Sequence, residues 1–284
     1  MNTFIPDKKT IKMSFSKAAS TYDTYSALQR DAAKDLLKQK DKNNFFHLNK
    51  GSFLVLDIGC GTGMLGGSFK ERYPNITALG CDFSLPMLLK AKEKAQNRSI
   101  RFLTSDCDEL PFKKSFFGSV ISSLTYQWVP DIAHSFKEVW RVLKPGGLFL
   151  FSILGPRTLG ELRKSHEKTE HVNGQNGRVA FMEFHKAESL SKNLKRAGFE
   201  VLSVKSALKK KNYKNLRDLL KTLKATGASP PIPNGNKSLA RGLILRETAK
   251  NYQKYFPASN GTGISATYDI VYAAAKKIPD KNGY

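Results

Sequence analysis

Cysteine is scarce in this 284-residue chain: only Cys60, Cys81 and Cys107 occur, an odd number with no Cys-x-x-Cys pair. That excludes a disulfide framework, spells out no thiolate metal site, and makes a reducing cytoplasm the expected setting. No apolar run approaches the ~20 residues of a membrane span, and the opening MNTFIPDKKTIKMSFSKAAS lacks the apolar block of a secretory signal. Acidic residues are few, with 24 Asp plus Glu against 47 Lys plus Arg and a net charge of +23. With 40% hydrophobic and 25% charged residues the chain is not wholly disordered. A chain this long buries roughly 75% of its unfolded surface and needs no covalent or metal staple. The positive excess is either a solvated surface or the field that attracts an acidic partner; composition leaves both open.

What is present is a strand–helix alternation between residues 53 and 153. Phe53–Leu56, Ile76–Leu79, Ile100–Leu103, Phe117–Ser122 and Leu148–Ile153 are short apolar runs that predict five strands. Helical spacing falls between them, near 64–73, 86–96 and 132–143. Pro86 suits a first helical turn behind a Ser84 cap, and Lys144-Pro145-Gly146-Gly147 turns the chain into the fifth strand. Near-continuous apolar strands alternating with helices predict an α/β fold, a doubly wound and mostly parallel sheet covered on both faces. Further on, helices are expected over 158–169, 183–197, 215–225 and 238–255, a strand over Glu200–Lys205 and a last strand over Ile264–Ala275. The polar loop HVNGQNGRV and the breaker run GASPPIPNGN punctuate this half. The whole of 1–284 is read as one domain, with helices over 1–50 acting as a lid, a core at 51–155, and a helical insertion over 206–262 that interrupts the sheet beside the ligand crevice.

The strongest local signal is VLDIGCGTG, residues 55–63, at a strand-to-helix junction. Gly59, Gly61 and Gly63 allow a tight turn and close approach of a ligand to backbone N–H groups. Gly61, Gly63 and Gly66 also spell the dinucleotide fingerprint, with Asp82 about twenty residues on. Asp57 argues against a dinucleotide, because a carboxylate beside the glycine turn would repel a pyrophosphate and favour a cationic ligand. S-adenosylmethionine carries an ammonium and a sulfonium. Asp82 in GCDFS suits ribose hydroxyls, and Asp106 in SDCDELPF can accept from an adenine amino group, with Cys107 or Leu110 against the ring. Each acid alone could be a loop or cap contact, as Asp108 is expected to be. Three acids after three successive strands converge on one crevice.

The combination VLDIGCGTG, GCDFS, SDCDELPF and LKPGG resembles the class I S-adenosylmethionine-dependent methyltransferases over about residues 50–155. The resemblance implies a seven-stranded sheet with a reversed final strand. It also implies a cofactor-binding set of Asp57, Gly59, Gly61, Gly63, Asp82, Phe83, Met87, Asp106, Cys107 and Ser123, with no metal. The loop SSLTYQWVPDI carries no Asn-Pro-Pro-Tyr-like box, and no cysteine follows a proline, which argues against nucleic-acid methylation; no membrane partner is expected either.

A second resemblance runs nearly end to end. FSKAASTYDTYSALQRDAA, YQWVPDI, GPRTLGEL, LLKTLKATGAS and SATYDIVYAAA are similar to the malonyl-[acyl-carrier protein] O-methyltransferases of biotin synthesis. Val129 stands where members often carry cysteine. The resemblance implies methyl transfer to the free carboxyl of a malonyl thioester, giving the ester that primes pimelate assembly. A carboxylate is already ionised at neutral pH and needs no general base, so no catalytic acid or base is expected, only alignment in a dry pocket. Arg157 is a candidate fork for the carboxylate, or else a surface contact. Tyr22, Tyr126 and Trp128 are candidate pocket walls, with core packing as the alternative for Tyr126 and Trp128. Lys209, Lys210, Lys211, Lys214 and Arg217, in and before the predicted 215–225 helix, are candidates for docking an acidic acyl-carrier protein bearing malonyl-phosphopantetheine, with malonyl-CoA as the alternative acceptor. A monomer is expected. Other readings remain. A mitochondrial complex I assembly factor that acts as an arginine hydroxylase is similar in its Leu-Pro-Phe and Gly-x-x-Thr-Leu-x-Glu-Leu segments. Another small-molecule O- or C-methyltransferase, or a non-catalytic cofactor-binding module, also fits the core motifs.

Overall fold

A computed structural model describes residues 7–42, 54–95, 100–173, 181–228, 239–259 and 261–278. Most of the GASPPIPNGN run, and the HVNGQNGRV loop beyond residue 173, lie outside the described residues, as does the end of the 1–50 segment. Three helices lead, α1 (Lys8–Ala18), α2 (Tyr22–Tyr25) and α3 (Ala27–Lys42). The core then alternates β1 (Leu54–Ile58), α4 (Met64–Arg72), β2 (Thr77–Asp82), α5 (Leu85–Lys94), β3 (Ile100–Thr104), β4 (Phe117–Ser123), α6 (Ile132–Val142) and β5 (Leu143–Leu154). The second half runs α7 (Gly160–Asn173), α8 (Ala187–Arg196), β6 (Phe199–Tyr213), α9 (Leu216–Ala225), α10 (Leu239–Tyr255) and β7 (Ile264–Lys277).

The seven strands form one sheet in the order β3-β2-β1-β4-β5-β7-β6. β1 to β5 pair in parallel, whereas β7 runs antiparallel to both β5 and β6. The sequence expectations for the five core strands and their three helices hold to within a few residues. Chain order reverses between β1 and β4, and that switch point opens a crevice at the carboxyl ends of the strands. One face of the sheet buries Phe117, Phe149 and Phe151 under α6 and α8. The other packs Val55, Ile121 and Leu150 under Leu36 of α3 and Phe69 of α4. Burying both faces accounts for the near-continuous apolar strands.

The insertion begins later than residue 206. β6 continues to Tyr213, and its pairs from Ala207↔Ile270 to Tyr213↔Ile264 project past the end of β5, where Leu154 meets Ile270. Period-2 alternation is present there but carried by lysines. Lys209 and Lys211 are half-buried, and their ammonium groups pair with Asp35 (2.5 Å) and Asp31 (2.6 Å) of α3. A lysine stem can cover apolar surface while its head finds a partner, so the strand reads as a charge run. On the projecting hairpin Leu162, Leu216, Leu219, Tyr252 and Ile264 form a separate cluster that fixes α7, α9 and α10 above the crevice.

At the opposite end of β7, Lys277 is buried at 1% exposure. Its Nζ donates to the carbonyls of Trp140 and Leu143, both at 2.8 Å, and lies 3.8 Å from the Trp140 ring centroid. A cation at the carboxyl end of α6 thus satisfies carbonyls the helix leaves unpaired. Lys277→Met is expected to lower unfolding free energy by roughly 1–3 kcal/mol. Urea denaturation with an unchanged m-value checks this, and a midpoint equal to the parent's contradicts it.

Candidate active site

β1 delivers Asp57 and then turns sharply. Gly59, Gly61 and Gly63 all have positive φ. At Gly59 a Cβ would come 2.3 Å from Thr125, so only glycine lets this turn pass under the loop after β4. Asp57 is 3% exposed, and its Oδ2 accepts from the Gly66 N–H at 2.9 Å at the start of α4. Its Oδ1 is buried without a hydrogen-bond partner. Asp82, at the end of β2, accepts from the N–H groups of Gly61 (3.0 Å) and Ser84 (2.8 Å). Ser84 precedes α5 as expected, yet its hydroxyl pairs with Ser16 of α1 at 2.9 Å instead of capping. Burial pushes Asp57 up to about 7, against the pull of the Gly66 N–H, and Asp82 adds to the rise. Burial also pushes Asp82 up to about 6. Neither carboxylate has a cationic partner among the described residues.

These acids border two connected spaces. A cavity of about 80 Å³ is lined by Gly59, Gly61, Asp82, Phe83, Met87, Asp106, Cys107 and Ser123, together with Thr125, Trp128 and Val129. A recess of about 30 Å³ adds Asp57, Gln29 and Thr62, and shares Tyr22, Gly59 and Ser123 with the cavity. Of the cofactor set read from the sequence, Gly63 alone lines neither; it shapes the turn. The Gln29 Oε1, like Asp57 Oδ1, is buried and unpartnered. Two unmatched acceptors in one recess suit an ammonium, which offers three donors. A pyrophosphate would instead add negative charge beside two carboxylates. The residues present therefore fit S-adenosylmethionine: Asp57 and Gln29 offer unpaired acceptors to an amino group, and Asp82 and Asp106 offer carboxylates along the adjoining cavity.

A larger cavity of about 360 Å³ adjoins the first and shares Phe15, Tyr22, Leu124 and Trp128 with it. The rings of Phe15 and Trp128 meet edge to face at 5.5 Å. Tyr22 thus stands at the junction of the spaces. Burial, then the charges of Asp82 and Asp23, raise its phenol so that it stays protonated. Helix α1 lies across the smaller cavity, its Lys8 paired with Asp106 (2.7 Å) and Asp108 (2.5 Å). Despite half burial, which works the other way, Lys8 and the Asp108 N–H hold Asp106 below the usual carboxylate range. The three thiols are pushed up by burial, Cys107 to about 12 and Cys60 and Cys81 well above their ordinary value. None is poised as a thiolate nucleophile.

Three functional candidates that the sequence offered beside a plainer alternative are set aside here. Arg157 lines neither cavity. Its guanidinium, 59% exposed, pairs through Nε with Asp269 at 3.1 Å and reaches the Ser206 hydroxyl at 2.8 Å. It thereby ties the loop after β5 to β7. Tyr126 is fully buried among Phe136, Phe149 and Phe151 and is core. Lys209 and Lys211 are committed to α3, as described above, so the docking candidates that remain exposed are Lys210, Lys214 and Arg217. Conversely, the sequence singled out none of Lys8, Gln29, Gln127, Arg163, Tyr213 or Tyr268, although Gln29, Gln127 and Tyr268 fall within the segments that carry the resemblance. The first two belong to the cofactor side and the last four to the larger cavity.

Because the pKa of Asp57 is raised on folding, its contribution to stability is complete below the unfolded value near 4 and is lost as pH rises through about 7. Asp57→Asn keeps an acceptor for Gly66 and removes the charge. The unliganded variant is expected to exceed the parent in unfolding free energy by about 2–4 kcal/mol at pH 8, the gap closing toward pH 4. Parallel pH–stability profiles from urea titrations would contradict the assignment.

Residues 56–151 match the model of the methyltransferase domain family. Malonyl-[acyl-carrier protein] O-methyltransferase of Gallionella capsiferriformans is 30% identical over 98% of this chain and 93% of that protein. The enzyme of that name from Geobacter sulfurreducens is 27% identical over 95% and 99%. Biotin biosynthesis bifunctional protein BioHC of Cellvibrio japonicus is 32% identical over 94% of this chain, which spans 49% of that longer protein. Among solved structures, Haemonchus contortus phosphoethanolamine N-methyltransferase 2, determined with S-adenosyl-L-methionine, superposes with a TM-score of 0.55 at 19% identity, covering 93% of this chain and 57% of that one. YcgJ of Bacillus subtilis gives 0.57 at 18% identity, over 82% and 95%; these two likenesses concern the fold alone. With the Gallionella match extending over nearly the whole of both proteins, the chain belongs to the malonyl-[acyl-carrier protein] O-methyltransferase family.

Proposed function

We propose that this protein methylates the free carboxyl of malonyl held as a thioester on an acyl-carrier protein, using S-adenosylmethionine. The observation that carries the reading is the shared wall of Phe15, Tyr22, Leu124 and Trp128, which joins an acid-lined cavity to a larger, mostly apolar one. When bound, S-adenosylmethionine supplies a methyl group on a sulfonium. Asp57, Gln29, Asp82 and Asp106 hold its polar ends. Tyr22 and Trp128 bring the two spaces together and exclude water, and their aromatic faces suit a cation. With neutral thiols and a neutral Tyr22, the described residues present no thiolate or phenolate at the junction, and an acceptor carboxylate that is already ionised requires no general base. Its residues need only orient the acceptor and keep the junction dry.

Helices α1 and α2 act as a cover. Lys8, Phe15 and Tyr22 reach the cofactor side, while the Thr21 hydroxyl donates to the Ala225 carbonyl of α9 at 2.9 Å. The carrier approaches from α9, whose Thr222, Leu223 and Thr226 line the larger cavity. Its outer face and the turn before it expose Lys214, Arg217, Lys221 and Lys224, and the end of β6 adds Lys210. Asp218 is the one acid within α9 and leaves this face positive. An acidic carrier meeting this face gains mainly in association rate.

Incubation with methyl-labelled S-adenosylmethionine and either malonyl-carrier protein or malonyl-CoA tests the reading, with methyl-ester formation followed by mass. Labelled ester is expected from the carrier. Cofactor binding with no ester from either acceptor would refute the proposal. The triple variant Lys210→Glu, Lys214→Glu, Arg217→Glu should slow turnover of the carrier substrate roughly tenfold or more at low salt and spare malonyl-CoA. Equal rates on the carrier would refute docking at α9.

A further inference from the structure

The larger cavity presents three charged side chains, Lys211, Asp218 and Arg163, whose charges differ in how they are met. Lys211 is neutralised by Asp31 at 2.6 Å. Asp218 accepts from the Lys214 backbone at 3.2 Å. Arg163, on the first turns of α7, has no acidic partner among the described residues. Its guanidinium lies 5.4 Å from the Phe181 ring centroid, and its Nη2 donates to the Met182 carbonyl at 3.2 Å. Stacking on a ring and one backbone bond hold the planar group while most of its five donors remain uncommitted. An uncompensated cation in a half-buried, mostly apolar space attracts an anion, and a guanidinium fork matches a carboxylate in shape as well as charge.

Resting on the proposed activity, we infer that Arg163 is the residue that receives the free carboxylate of the acceptor and sets specificity for a malonyl over an uncharged acyl group. Arg157, the cation suggested by the sequence, is already occupied by Asp269. Arg163 takes over the orienting role from the other side of the same loop, six positions along. Phe181 and Met182 fix the plane of the fork, and the aromatic surround strengthens its pairing by excluding water. An acyl chain ending in methyl would leave the guanidinium desolvated without a partner, which is a penalty rather than a missing bonus.

The test uses the full chain and malonyl-CoA, so that carrier docking does not enter. Arg163→Gln is expected to raise KM for malonyl-CoA at least tenfold, with Arg163→Lys intermediate. S-adenosylhomocysteine affinity and thermal midpoint should stay near the parent's. Butyryl-CoA, uncharged at its acyl end, should compete equally with malonyl-CoA binding sites of parent and Gln variant or bind the variant better. A KM within twofold of the parent overturns the assignment. So does an equal loss of malonyl-CoA and butyryl-CoA binding, which would mark a merely structural role. A parent protein inert on malonyl-CoA and on malonyl-carrier protein overturns the underlying activity and the assignment with it.

Discussion

Two carboxylates stand at the ends of adjacent strands with no cation against them among the described residues, and most of the site's organisation follows from that. Asp57 and Asp82 are anchored by backbone N–H groups of the glycine turn and of the segment leading into α5. Those bonds fix their direction and leave their charge unmatched. Burial raises both toward neutrality, so the unliganded crevice carries an electrostatic cost that a cationic ligand removes and an anionic one increases. The charge pattern that favours a cationic ligand is therefore set by two adjacent strands and the backbone groups that anchor their carboxylates.

The acceptor side is built differently. β6 and β7 outrun the rest of the sheet, and their projecting hairpin supplies the floor on which α7, α9 and α10 pack. This rigid extension holds the larger cavity against the carboxyl ends of β4 and β5. The N-terminal helices close the remaining side through Lys8, Phe15 and Thr21, contacts that reach the cofactor acids and α9 alike.

The sheet and the cofactor acids were legible because both are local patterns. Strands buried on two faces appear as apolar runs, and a glycine turn with an acid in front of it is contiguous. The acceptor side was not, because its partners are remote in sequence. Arg157 is held by a residue 112 positions away, and Lys8 by one 98 positions away; a lone cation gives no hint of either. Tyr126 lies in a motif that marks the acceptor loop, yet its ring points into the aromatic core. Lys209 and Lys211 resemble a solvated charge run until α3 places Asp31 and Asp35 over them. Arg163 stands in α7 beside Lys164 and Lys168, and only the fold shows that it is the one that lines the larger cavity.

Proton linkage on ligand binding measures the central electrostatic claim most directly. Isothermal titration of S-adenosylmethionine at pH 6.5, in buffers of differing ionisation enthalpy, reads the protons exchanged. If the crevice acids rest partly protonated and are drawn into ionisation by a cation, binding releases protons to the buffer, and NADH produces no comparable binding. Heats independent of buffer, or tight NADH binding in place of S-adenosylmethionine, would contradict the account.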